Sequence, residues 1–170
     1  MAKSNTQWAA QWLVASELSR RGYVVSFTSG NCTPAADLSV STPDGRLFEV
    51  DVKGHMGKNA WDVKRKHDRT TLYYVLVTLC KTHDINSRTP DRFAILTQAE
   101  ANDLVTQYEL THPDTGRTGF NFPASVPFEE DAWEKLPPVK RPPRRNVLRR
   151  KFVITSTNLT GSLHDAVESN

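Results

Sequence analysis

The chain has 170 residues, 38% hydrophobic and 24% charged, the proportions of a single globular domain with a buried core. No apolar run approaches the roughly 20 residues of a membrane span, and the first residues are polar with one lysine, so neither a secretory leader nor an anchor is expected and the cytoplasm is the expected location. The net charge of +3 comes from 22 basic and 19 acidic residues, and Cys32 and Cys80 lie far apart with no metal-ligand spacing, which indicates no zinc site and points to reduced thiols.

The first predicted element is a helix over Asn5 to Arg21. Trp8, Trp12, Ala15 and Leu18 recur at helical spacing, Ser4 and Gln7 stand at capping-box distance, and Gly22 supplies the stop. A strand over Tyr23 to Thr28 follows, and then a polar loop ending near Pro34. Alternation predicts the next two strands, with Ala36, Leu38 and Val40 on one face and Asp37 and Ser39 on the other. Pro43-Asp44-Gly45 turns the chain into Leu47 to Lys53, giving a β-hairpin. In its second arm Phe48, Val50 and Val52 point one way, so Glu49, Asp51 and Lys53 point the other.

Gly54 to Gly57 is read as a break, and Asn59 to Asp68 as a short basic helix bearing Trp61. Tyr73 to Cys80 is an uninterrupted apolar and β-branched run, expected as a central strand covered on both faces. Phe93 to Leu96 gives another strand, and Thr97 with Glu100 opens a helix whose inner stripe is Ala101, Leu104, Val105 and Tyr108. A surface helix is expected over Glu129 to Leu136, and a further strand over Phe152 to Thr155. The prolines at 137, 138, 142 and 143 favour extended backbone, which divides the chain into a domain at 1–136 and a Pro-rich basic arm with a tail at 137–170. From Lys140 through Lys151 there are seven basic residues and no acidic one, whereas 15 basic and 17 acidic residues precede Lys140. Such a block neutralises phosphates.

Asp37 and Asp51, on adjacent hairpin arms, repel each other unless a cation or proton lies between them. Mg²⁺ (or Mn²⁺) suits such a pair, because it takes a few carboxylate oxygens and keeps water and substrate phosphate oxygens. The Val52 carbonyl is a further candidate ligand, and Glu17, late in the first helix, an auxiliary one. Lys53 is placed to hold an attacking water or to pair with a phosphate. Lys58 and Lys64, with neighbouring Arg65 and Lys66, and Arg144, Arg145, Arg149 and Arg150 are candidates for nucleic-acid contact.

The run Phe48-Glu49-Val50-Asp51-Val52-Lys53-Gly54, with Asp37 in the partner strand and Glu17 in the first helix, resembles the PD-(D/E)xK nuclease superfamily. Its likeness is to small Holliday-junction-resolvase-like and restriction-endonuclease-like members and covers Trp8 to Tyr108. Asp37 matches the first acid, Asp51 the second, Lys53 the lysine, and Glu17 the helix glutamate that some branches add. Ala36 stands where many members have proline. The resemblance implies an α/β fold with a restriction-endonuclease-like αβββαβ core and a mixed central sheet. It also implies a divalent metal, a nucleic-acid substrate, most naturally DNA, and homodimers. The alternative is a catalytically inactive protein of the same fold, a phage or mobile-element factor that binds nucleic acid or inhibits a protein partner.

Overall fold

The computed structural model describes residues 3–28, 36–56, 60–67, 69–80, 91–113, 120–121 and 131–140. Helix α1 spans Lys3–Arg20, and Ala10, Val14 and Leu18, four residues apart, form its buried stripe together with Ala15 and Gln11. Of the expected stripe, Ala15 and Leu18 are buried but Trp8 and Trp12 face outward. The two indoles are 38% and 61% exposed, and Trp12 rests on Phe27 with ring centroids 4.4 Å apart. Ser4 already lies within the helix and the Gln7 carboxamide turns toward the sheet, so the expected capping box does not start it. Gly22 does stop it: at φ +95° it accepts the left-handed conformation, and the Tyr23 N–H closes on the Leu18 carbonyl at 3.1 Å.

Seven strands occur among the described residues: β1 (Val24–Phe27), β2 (Leu38–Ser41), β3 (Leu47–Met56), β4 (Ala60–Trp61), β5 (Leu72–Leu79), β6 (Arg92–Thr97) and β7 (Phe120–Asn121). Five of them build one mixed sheet in the order β1-β2-β3-β5-β6, antiparallel throughout except for the parallel pair β3–β5. The protein is therefore of the α/β class with a mixed central sheet. Helix α2 (Gln98–Thr111) follows β6 directly and opens with the expected capping box between Thr97 and Glu100.

The sheet is covered on both faces. One core joins Ala10, Val14 and Leu18 of α1 to Val50 and Val52 of β3 and to Val75 and Val77 of β5. The other joins Leu72, Tyr74 and Leu76 of β5 to Ala101 and Val105 of α2 and to Trp61 and Val63. This alternation along β5 is the period of two expected for a central strand. Gly54 does not break β3. A methyl group built there would collide with the Ala10 side chain, so the glycine lets α1 lie directly on the middle of the sheet.

The crossover between the parallel strands departs from the expected core. No helix forms among the described residues 60–67: Ala60–Trp61 is a two-residue strand paired with Phe120–Asn121, and the chain from 62 to 67 is irregular. The cause lies in the spacing of apolar residues. Trp61 and Val63, both buried, stand two apart as on an extended chain, and no apolar residue follows between Lys64 and Asp68 to continue a helical stripe. The expected surface helix at Glu129 to Leu136 is also reduced, among its described residues, to a single 3-10 turn, Trp133–Lys135, and both Trp133 and Leu136 are buried.

Packing continues past the expected boundary at 136. The Tyr23 hydroxyl donates to the Pro137 carbonyl at 2.8 Å, the Arg46 guanidinium to the Pro138 carbonyl, and Val139 rests on the first core. The expected strand at Phe152 to Thr155 lies outside the described residues.

Candidate functional site

At residue 37 strand β2 ends in a bend, and the Asp37 side chain takes over the ladder from the backbone. The Asp37 N–H still donates to the Val50 carbonyl at 3.0 Å, but the next donor on β3, the Val52 N–H, reaches the Asp37 carboxylate Oδ2 at 2.7 Å. The bend also sends Ala36 into the core with Trp61 and Tyr74, whereas Leu38 and Val40 stay in the core under α1, so the expected alternation fails there.

Two glutamines four residues apart on α1 complete this corner. Gln11 Nε2 donates to Asp37 Oδ1 at 2.7 Å, while Gln7 Nε2 donates to the Val52 carbonyl at 2.6 Å and lies 3.5 Å from Asp37 Oδ2. Asp37 is only 9% exposed. Burial raises its pKa above the ordinary 3.8, the bond from the Val52 amide works against that rise, and the negative charge of Asp51 adds to it.

Asp51 is 3% exposed and stands between two ammonium groups. Lys53 Nζ lies 2.8 Å from Oδ1, and Lys66, brought in by the crossover segment, makes a close ion pair with Oδ2. Oδ1 is buried and has no hydrogen-bond partner, so the Lys53 contact is charge proximity without a directed bond. Tyr74, in register with Asp51 across the parallel pair, buries its hydroxyl with no hydrogen-bond partner. Burial and the Asp51 charge push its pKa far above 10. The Lys66 ammonium stands 5.7 Å from the Tyr74 ring centroid.

Asp37, Asp51, Lys53 and the Val52 carbonyl thus meet at one place. Glu17 does not join them. It lies six residues beyond Gln11, roughly 9 Å along the axis and a third of a turn round it, where it pairs with Arg20 at 3.1 Å and Arg21 at 3.5 Å. It lines a separate cleft with Asp91, Phe93, Asp131 and Trp133. Glu49, expected on the Asp51 face, pairs with Arg69 at 3.1 Å. Lys64 is exposed. Lys58, Arg144, Arg145, Arg149 and Arg150 lie outside the described residues.

Gln7, Gln11 and Lys66 are the members of this site that sequence reasoning did not assign to it. The glutamines carry a signal only in retrospect: they stand four apart on the side of α1 that holds Ala10 and Val14. Lys66 belongs to the basic run Lys64 to Lys66, read as a phosphate-tracking surface.

The oxygen donors fit a hard divalent cation. One or two carboxylates with water and phosphate oxygens commonly hold Mg²⁺, and Asp51 Oδ1, which has Lys53 beside it but no hydrogen bond, is a buried acceptor. Among the described residues, no group of three or more His, Cys, Asp and Glu side chains is arranged to hold a metal ion. Water would have to supply the remaining coordination. No described helix is long and apolar enough to cross a membrane. Compared with protein-family models, with curated proteins and with solved structures, the chain matches none.

Proposed function

We propose that the protein is a divalent-metal-dependent nuclease of the PD-(D/E)xK type that hydrolyses phosphodiester bonds, in DNA before RNA. The observation that carries this is the convergence of buried Asp37 and Asp51 with Lys53 on the central strands of a mixed sheet, beside an acidic oxygen that has no hydrogen bond. Buried carboxylates without a full set of partners are costly and gather where a cation or substrate completes them. Bound Mg²⁺ or Mn²⁺ would supply an activated water and offset charge on the phosphate. Asp37, Asp51 and the Val52 carbonyl would hold the ion. Lys53, two residues along the same face as Asp51, would orient the water or pair with the phosphate under attack. Gln11 and Gln7 act one step back, fixing the Asp37 carboxylate and the Val52 carbonyl. The basic residues at 140–151, with Lys58 and Lys64, would follow the phosphate backbone, and a homodimer would place two such sites on one duplex.

One observation favours the rival, a protein that binds nucleic acid or a protein partner without cutting. Gln7 already satisfies the Val52 carbonyl, and both oxygens of Asp51 lie beside lysines. The experiment that separates them is incubation of the full chain with linear duplex, single strand, four-way junction and RNA in Mg²⁺, Mn²⁺ or EDTA. Metal-dependent cleavage of one class supports the nuclease. Salt-sensitive binding with no cleavage supports the binder.

A further inference from the structure

Lys66 has no counterpart in the acid-spacer-lysine pattern, yet it pairs with Asp51 Oδ2 in the site. The crossover segment that carries it is irregular, but it is fastened to α2 at Arg65, Lys66, His67 and Arg69. Asn102 Nδ2 donates to the Lys66 carbonyl at 3.4 Å, Gln98 bridges the His67 carbonyl and the Arg69 N–H, and Arg65 reaches both Thr106 and Glu109 at 2.9 Å. These bonds fix the backbone so that the Lys66 side chain falls on Asp51.

Charge counting gives that placement a consequence. Asp37 and Asp51 against Lys53 and Lys66 make a neutral cluster, two carboxylates and two ammonium groups. A divalent cation beside Asp51 would stand against both ammonium groups, and like charges at such range repel strongly in a buried site. One lysine has to withdraw. Both side chains are partly exposed, 32% for Lys53 and 25% for Lys66, so exposure does not choose between them; Lys53 stands two residues from Asp51 on the central strand β3, whereas Lys66 reaches Asp51 from the irregular crossover. With Lys66 gone, the two carboxylates, Lys53, the cation and one phosphodiester again sum to zero, and the displaced ammonium is left beside an incoming polyanion.

We infer that Lys66 is a displaceable counter-ion: it holds Asp51 in the absence of a divalent cation, yields that place when the cation binds, and then pairs with a phosphate of the nucleic acid. This rests on the nuclease reading above, and adds to it a positioning residue outside the motif.

The test is calorimetric titration of Mn²⁺ into the full chain, comparing wild type with Lys66→Met, Lys66→Gln and Lys66→Arg, after thermal melts have shown each to be folded. If Lys66 covers Asp51 for about nine-tenths of the time, the apparent affinity is lowered about tenfold. Lys66→Met and Lys66→Gln should therefore bind Mn²⁺ about tenfold tighter, Lys66→Arg should stay near wild type, and adding Asp51→Asn to Lys66→Met should abolish the gain. In Ca²⁺, the salt slope of duplex binding should fall by about one in Lys66→Met, as for loss of one phosphate contact. Equal or weaker Mn²⁺ binding in both neutral variants, or an unchanged salt slope, overturns the inference. If wild type still cuts with Mn²⁺ in that case, the nuclease reading stands. Absence of Mn²⁺ binding in every variant overturns both.

Discussion

Gln11 on α1 donates to Asp37 at the end of β2 across 2.7 Å, joining a helix to a carboxylate 26 residues away in the chain. The acceptor is buried and charged, and its other oxygen is held by the Val52 amide. Gln11→Ala would leave Oδ1 without its main donor, at a cost of about 1–3 kcal/mol. Urea denaturation at neutral pH should show that loss, and Gln11→Glu should be worse still, because it sets two carboxylates against each other.

Asp37 also makes stability depend on pH. Its folded pKa is raised above the ordinary 3.8, chiefly by burial, so the native state binds more protons than the unfolded one between those two values. Stability therefore falls as pH rises from the unfolded pKa through the raised folded one, and is flat above it. Asp37→Asn should remove this slope and keep the fold, since the new carboxamide oxygen can accept from the Val52 amide while a flipped Gln11 accepts from the carboxamide nitrogen. Denaturation midpoints of the two proteins measured across the acid range should differ in slope. Parallel curves would show that Asp37 is not perturbed.

Gly54 is the point where α1 touches β3. Gly54→Ala should cost about 1–3 kcal/mol through overpacking, and by lifting α1 it should also loosen the Gln7 and Gln11 contacts. Ala10→Gly in the same chain should restore part of the loss, although glycine within the helix costs roughly 1 kcal/mol by itself. A double-mutant cycle read by thermal melting measures this coupling. Additive effects would mean that the two residues do not meet.

His55, near the end of β3, packs on Trp61 with ring centroids 3.9 Å apart and planes tilted by 56°, and neither ring nitrogen has a hydrogen-bond partner. Burial holds its pKa below the ordinary 6.5, so the unfolded state binds the extra proton and stability is lost as pH falls from 6.5 through the folded value. His55→Phe should keep the tilted ring contact, remove two unsatisfied nitrogens, and stabilise by about 1 kcal/mol at neutral pH, with a larger gain at pH 5. A destabilised variant would mean that water or another group serves the ring.

What the sequence shows of this protein is set by what periodicity can show. The hairpin of β2 and β3 carries a period of two, the central strand β5 an unbroken apolar run and the start of α2 a capping box, and each element is present. Trp8 and Trp12 mislead because large apolar residues four apart look like a core stripe, while the real stripe uses the smaller Ala10 and Val14 to bring α1 close to Gly54. Asp51 and Lys53 share a face by strand alternation, whereas Asp37 reaches them through the bend before β2, where its carboxylate takes the Val52 amide and the alternation fails. Glu17 is a candidate from its place late in the first helix and from the helix glutamate of the resembled family, and only the helix register shows that glutamines face the site from α1. Lys66 depends on the path of an irregular crossover, which no local pattern encodes.

The most direct test of the nuclease account is single-turnover cleavage of the preferred substrate in Mg²⁺ by wild type, Asp51→Asn and Lys53→Met, each shown by its melting curve to be folded. Losing several kcal/mol of transition-state stabilisation, at 1.36 kcal/mol per decade, corresponds to about a 10³-fold fall in rate. Both variants should fall by that much while still binding the substrate. Cleavage that survives in Asp51→Asn, or a wild type that binds and never cuts, would contradict the assignment and leave the binding protein.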